Sequence, residues 1–233
     1  MKFLVGLVIS AALITGCGGP STSVSPSAST SASPSASPSG SSSDCAAVQQ
    51  DWAAGGISSD WSGANLINCD LSGANLGEGS FFGADLSGAN LSGANLFVAV
   101  LRNANLTDAN LTGADLESAD LIGANLTRAD LSGTNLPYAD FSDATMTDAN
   151  LMGLDLTAVG FAGADLVNAN LSGAIGVDTN FDTANLTNAN LNGATFNFVN
   201  LFGANLANAN LANVTYCQVT MPDGTVNNDN CTP

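Results

Sequence analysis

The sequence predicts an all-β solenoid, and three observations point there. From Asn65 a five-residue pattern takes over, read as ANLIN, CDLSG, ANLGE and onward to ANLAN. Its apolar centre, followed in steps of five from Leu66 to Leu211, gives 30 units with no insertion. The second observation is what fills the units. The centres are Leu 23 times and Phe five times, with Met146 and Gly176 completing the set, and the residue two before the centre is Ala 23 times. One large and one small inward residue per unit suit a narrow core. The polar residue between them, Asn 16 times and Asp eight times, points outward. Gly, Ser, Thr and Asn crowd the next two positions, where the chain must turn a corner. The third observation is that Trp61, Phe81, Phe141, Phe161 and Phe181 stand at multiples of 20 residues, leaving Phe196 outside the class. Rings stacked on one inner wall produce this spacing when four five-residue faces make a coil. The units then form about 7.5 coils, roughly 36 Å of rod at about 4.8 Å per coil.

The elements follow in chain order. Residues 1–16 carry one charge, Lys2, then an apolar run from Phe3 to Ile14. The run is shorter than the roughly 20 residues of a membrane span and reads as an export signal peptide. The ending Ile14-Thr15-Gly16-Cys17 resembles the lipobox of bacterial lipoproteins. That resemblance implies cleavage before Cys17, diacylglycerol on its sulfur, an acylated amino terminus (palmitate the typical chain), and a cell-membrane anchor on the extracytoplasmic side. Residues 17–43 are almost wholly Ser, Thr, Ala, Pro and Gly. They cannot bury a core and read as a disordered tether. Residues 44–60 read as an N-terminal capping helix. Ser43 or Asp44 caps it, Gly55-Gly56 ends it, and Val48 and Trp52 share the face that covers the open end of the solenoid.

Residues 61–216 match the A(D/N)LXX signature, and the chain resembles the pentapeptide-repeat family over that span. The resemblance implies a right-handed quadrilateral β-helix with five residues per face, and it admits an end-to-end dimer through a terminal coil. Each coil depends on its neighbours. The weakest is expected around Ala174-Ile175-Gly176-Val177, where the centre is Gly and a bulge or loop is predicted. Residues 217–233 form a C-terminal cap, with Pro222-Asp223-Gly224 as the turn of a small hairpin. With Cys17 lipidated, four cysteines remain, and export favours disulfides among them. Of three pairings the preferred one is Cys217–Cys231, closing the hairpin, with Cys45–Cys69 tying the cap helix to the first coil. Alternatively Cys69, at an inward Ala position, is a core thiol.

Composition closes off most chemistry. The chain has net charge −17, no His and three basic residues, Lys2, Arg102 and Arg128. Without His there is no Ser–His or Cys–His couple and no imidazole ligand, and with Lys2 removed there is no Lys for a Schiff base. The expectation is a protein that is not an enzyme and takes no metal or cofactor. The Gly-Gly-x-Gly-x-Asp motif of calcium-binding solenoids is absent. Nucleic acid is excluded as a ligand, because phosphate binding needs clustered Lys and Arg. Nucleic-acid mimicry is the alternative reading, since some proteins of the resembled family match B-DNA in size and charge and engage gyrase. Here the 15 acids between residues 61 and 216 scatter over all four faces. That is one per about 2.4 Å of rod against about 1.7 Å for duplex DNA.

A sharper candidate is the face whose centres run in steps of 20 from Leu76. It carries Glu78, Asp115, Glu117, Asp155 and Asp178, and its corners hold Phe97, Val98, Tyr138, Val177 and Phe198. Aromatics interleaved with carboxylates suit a surface that binds an envelope protein or glycan. We take Phe97, Glu117, Tyr138, Asp178 and Phe198 as the candidate interaction face. The competing expectation is that corner rings lie flat and shield the rod. The functional expectation is a lipid-anchored, non-catalytic envelope protein, a scaffold or interaction rod. The alternative is an acidic nucleic-acid mimic that modulates a DNA-binding enzyme such as gyrase.

Overall fold

A computed structural model describes residues 43–53 and 59–231. The signal segment, the Cys17 lipidation site, residues 17–42 of the tether, the Gly55-Gly56 helix stop and residues 232–233 lie outside them. Helix α1 spans Ser43–Ala53. From Asp60 the backbone winds as a β-helix in which residues before a centre pair in parallel with the one 20 positions on, as Asn90 with Asn110 and Asp120 with Asp140, with the pairing interrupted between Asn135 and Asp155. The four faces per coil follow directly. Three coils align well enough to form short strands, β1 (Ile175–Val177), β2 (Thr195–Asn197) and β3 (Thr215–Cys217), paired in parallel.

The hydrogen-bond rule of the winding is simple. The N–H of each centre donates forward to the next coil, as Leu106 to the Asn125 carbonyl at 2.7 Å. The N–H of the preceding residue donates backward, as Asn105 to the Ala84 carbonyl at 2.9 Å. The Leu and Phe centres and the small Ala residues fill the interior, nearly all of them fully buried. Along one wall Phe141, Phe161 and Phe181 stack, with centroids 5.3 and 4.9 Å apart and rings within 14° of parallel. Offset aromatic pairs add to the burial of apolar area.

The expected bulge at Gly176 is not there. Asp155 pairs with Ile175, and Ile175 with Thr195, without interruption. A Cβ on Gly176 would meet Thr179 Oγ1 at 2.9 Å and Phe196 Cδ1 and Val199 Cγ2 at 3.1 Å. The missing side chain is therefore replaced by larger neighbours, and Phe196 stands where it does because Gly176 leaves room for it. Phe196 also tilts against Phe181 at 6.1 Å. The loosest join falls elsewhere on that face. Thr134 and Leu154 stack 20 residues apart in a column that is otherwise Ala from Ala74 to Ala194. Among the described residues, Leu136 N–H does not reach the Asp155 carbonyl, and Tyr138 N–H reaches that of Thr157 at 3.3 Å. Overfilling, rather than a vacancy, opens this seam.

Both ends are finished with other parts of the chain. Val48 of α1 is buried, and Trp52 and Trp61 pack half-buried beside it. The side chains of α1 stand in for a missing coil. The Asp44 carboxylate accepts the Asn65 N–H at 2.9 Å, and Gln49 Nε2 donates to the Asp70 carbonyl at 2.8 Å. These satisfy ladder groups that would otherwise be orphaned on an open edge. Cys45 and Cys69 are joined with Cα atoms 5.6 Å apart, and Cys217 and Cys231 with Cα atoms 4.7 Å apart. At the other end β4 (Val219–Thr220) and β5 (Val226–Asn227) pair antiparallel around Pro222-Asp223-Gly224, with Gly224 at φ 82°. β4 covers the face of Leu201, and β3 that of Phe196. Leu211 remains 36% exposed beside a half-buried Leu206.

Candidate interaction face

The corner chemistry decides what each face can display. Most units close a β-turn in which the small residue's N–H donates to the preceding centre's carbonyl, as Ala139 to Leu136 at 2.9 Å, whereas the units of Gly176 and Phe196 run as short strands. The third residue of the turn sits in the left-handed region throughout, which is why Gly and Asn recur there. The residue before the centre locks the turn from outside. Its Oδ1 accepts the N–H two residues on, as Asn110 from Thr112 at 3.0 Å. Its amide also reaches back one coil, as Asn90 Nδ2 to Asp70 Oδ1 at 3.0 Å and Asn210 Nδ2 to Asn190 Oδ1 at 3.0 Å. The Asn and Asp of the motif are thus structural fasteners as well as a polar coat. A carboxylate accepts but cannot donate. Asp130 accordingly takes the Asn150 amide at 3.1 Å and gives nothing back toward Asn110.

These bonds set the response to acid. The Ser132 hydroxyl and then its N–H hold the Asp130 carboxyl below the usual carboxylate range, and Ser72 does the same for Asp70. The Arg128 guanidinium lowers Asp108. A depressed folded-state pKa contributes stability above the unfolded value of about 3.9, and that contribution is lost as pH falls through the folded value. The urea midpoint is therefore expected to fall as pH drops below about 4, and Asp130→Asn to flatten that fall.

Five of the large apolar side chains left exposed fall on the face of Leu76. They are Phe97 (39%), Val98, Tyr138 (64%), Ile175 and Phe198 (54%). Tyr138 and Phe198 are more exposed than buried, while Phe97 keeps most of its surface covered. The reason is the turn. Tyr138, Phe198 and Val98 occupy its left-handed position, with φ of 64°, 55° and 57°, which aims Cβ away from the coil. That conformation costs an L-residue about 1–2 kcal/mol, and Val is β-branched besides. Pro137 precedes Tyr138 at the turn position that suits proline. Of the candidate residues, Phe97 and Glu117 are one coil apart in one column, and Asp178 and Phe198 are one coil apart in the next, with Tyr138 between the pairs. Glu117 and Asp115 share the Asn135 amide, at 3.2 and 2.8 Å. Ile175 escaped the sequence reading, although an apolar residue at a position held elsewhere by Asn or Asp was the available signal.

Both arginines are occupied on other faces, Arg102 with Asp120 and Arg128 with Asp108. Among the described residues no group of acids, cysteines and histidines is arranged to hold a metal, and no helix is long and apolar enough to cross a membrane.

No curated protein matches the chain. Among solved structures, HetL, a pentapeptide repeat protein involved in heterocyst differentiation regulation from the cyanobacterium Nostoc sp. strain PCC 7120, is 25% identical. It covers 77% of this chain and 98% of its own, with a TM-score of 0.43. QnrB1, a plasmid-mediated fluoroquinolone resistance protein, is 20% identical over 66% of this chain and 90% of its own, with a TM-score of 0.41. Rfr23 from the cyanobacterium Cyanothece 51142 is 25% identical over 57% and 97%, with a TM-score of 0.23. The model of pentapeptide repeats matches in eight copies, over residues 59–97, 99–136, 124–159, 134–173, 155–193 and 179–215. That span is the wound body, and the chain belongs to the pentapeptide-repeat family.

Proposed function

We propose that this protein is a lipid-anchored, non-catalytic component of the cell envelope, held to the extracytoplasmic side of the membrane through Cys17. Its β-helix serves as an interaction rod for an envelope protein or glycan. One observation carries the rod's role: bulky side chains are kept in a strained left-handed conformation that holds their rings in solvent. Strain that persists where Gly or Asn would relieve it marks function more often than packing. The absence of His and the paucity of bases support a role without catalysis. The half-uncovered coil end around Leu206 and Leu211 supports an end-to-end dimer as a second contact.

The test is chemical crosslinking on intact cells. Wild type is expected to capture a defined partner, and the Phe97→Ala/Tyr138→Ala/Phe198→Ala variant to lose it at least tenfold. Its urea midpoint should be unchanged or raised, because the rings make little use of the core. Capture by the triple variant equal to wild type would refute the face.

A further inference from the structure

The same face also indicates the chemistry of its partner, an inference that rests on the interaction role proposed for it. Three of its properties bear on the question. It displays exposed rings, Phe97, Tyr138 and Phe198, with Val98 and Ile175 beside them. It carries Asp115, Glu117, Asp155 and Asp178 and no Lys or Arg at all. Among the described residues these four carboxylates make no ion pair, because the two arginines of the wound body are committed to Asp120 and Asp108 on other faces. The fasteners that occupy the carboxylates are neutral, Asn135 for Asp115 and Glu117, and Thr157 for Asp155. The coil thus satisfies their hydrogen bonding but leaves their charge uncompensated.

The order along the rod is regular. Phe97 and Val98 lie on one coil, Asp115 and Glu117 on the next, then Tyr138, then Asp155, then Ile175 and Asp178, then Phe198. At about 4.8 Å per coil the series covers roughly 24 Å, and an extended chain at about 3.3 Å per residue spans it in seven or eight residues. Rings and carboxylates follow one another coil by coil at about 4.8 Å, closer together than the roughly 6.6 Å between same-side side chains of such a chain, so about four of its side chains face the six coils. An ammonium or guanidinium is attracted both by a carboxylate and by the face of an aromatic ring, so the two kinds of group on this surface select the same ligand. A neutral glycan would use the rings and leave the carboxylates idle, and a polyanion would be repelled.

We infer that the face of Leu76 is a docking track for an extended, Lys- or Arg-bearing segment of a partner protein, laid along the rod axis with its cations between and over the rings. The test uses the full chain in detergent and a fluorescein-labelled decapeptide of alternating lysine and alanine, read by anisotropy. Wild type should bind, and more weakly as salt is raised. The Phe97→Ala/Tyr138→Ala/Phe198→Ala variant and the Asp115→Asn/Glu117→Gln/Asp155→Asn/Asp178→Asn variant should each lose at least tenfold in affinity. The Asn and Gln replacements keep the acceptors of the turns, so the coil survives. A charge-matched variant on the opposite face, Asp85→Asn/Asp108→Asn/Asp148→Asn/Asp165→Asn, should stay within twofold of wild type. Equal loss in the two charge variants would mean that only net charge is sensed, and it would overturn the inference. So would failure of wild type to bind the peptide while insoluble peptidoglycan is retained in a ring-dependent way. That second outcome would leave the interaction face standing and remove its cationic partner. Ring-independent capture of every partner removes the face itself.

Discussion

Phe161→Ala is expected to be the most damaging single truncation in the rod, lowering stability by about 3–5 kcal/mol. The ring is fully buried and lies between Phe141 and Phe181 at 5.3 and 4.9 Å. Removing it breaks two stacked contacts, each contributing about 0.5–1.5 kcal/mol beyond area burial. The walls cannot collapse into the space, because coil spacing is fixed by backbone bonds on all four faces, among them Phe161 N–H to the Asn180 carbonyl at 2.7 Å. Urea unfolding followed by circular dichroism reads the effect. Leu154→Ala is the informative comparison. It also deletes a buried Leu, but it does so at the overfilled seam, where Ala is the size the fold uses elsewhere. Its loss should be well below that of Phe161→Ala, and equal losses would mean that the seam is not overfilled.

Gly176→Leu is the second large effect, and its sign is opposite to what the repeat suggests. Leu at this centre restores the motif, yet the variant should be destabilised by about 3 kcal/mol, the upper range for overpacking. The space is already taken by Phe196, Val199 and Thr179, which approach the position to within 3.1 Å. Adding Phe196→Leu to Gly176→Leu should recover much of the loss, because the two sites share one volume and their effects are coupled. Thermal melts of the two single variants and the double variant decide it. A stabilised Gly176→Leu would show that the position is a true vacancy.

Much of this architecture was legible in the sequence, because one short rule repeats 30 times without insertion. Period five gave the face, period 20 in the rings gave four faces to the coil, and a Pro-Asp-Gly tripeptide gave the hairpin. What escaped was compensation between coils. Gly176 looked weak because a motif read unit by unit cannot show that Phe196, 20 residues later, fills its place. Leu154 drew no attention because it is apolar, although Ala holds its position in most units. The outward reach of Tyr138 and Phe198 was likewise hidden. How much of a corner ring stays exposed depends on its neighbours in the adjacent coils, which a motif read unit by unit does not show. The face itself was found, since aromatics at positions used elsewhere by Gly and Asn are conspicuous, but Ile175 on it was not.

Whether the rod is anchored outside the membrane is tested most directly by fractionation with external protease shaving of intact cells, comparing wild type with Cys17→Ala. Wild type is expected to partition with membranes and to be cleaved from outside, and Cys17→Ala to be released in soluble form. A protein that is soluble and protected inside the cell in both strains would contradict the anchor and the surface role together.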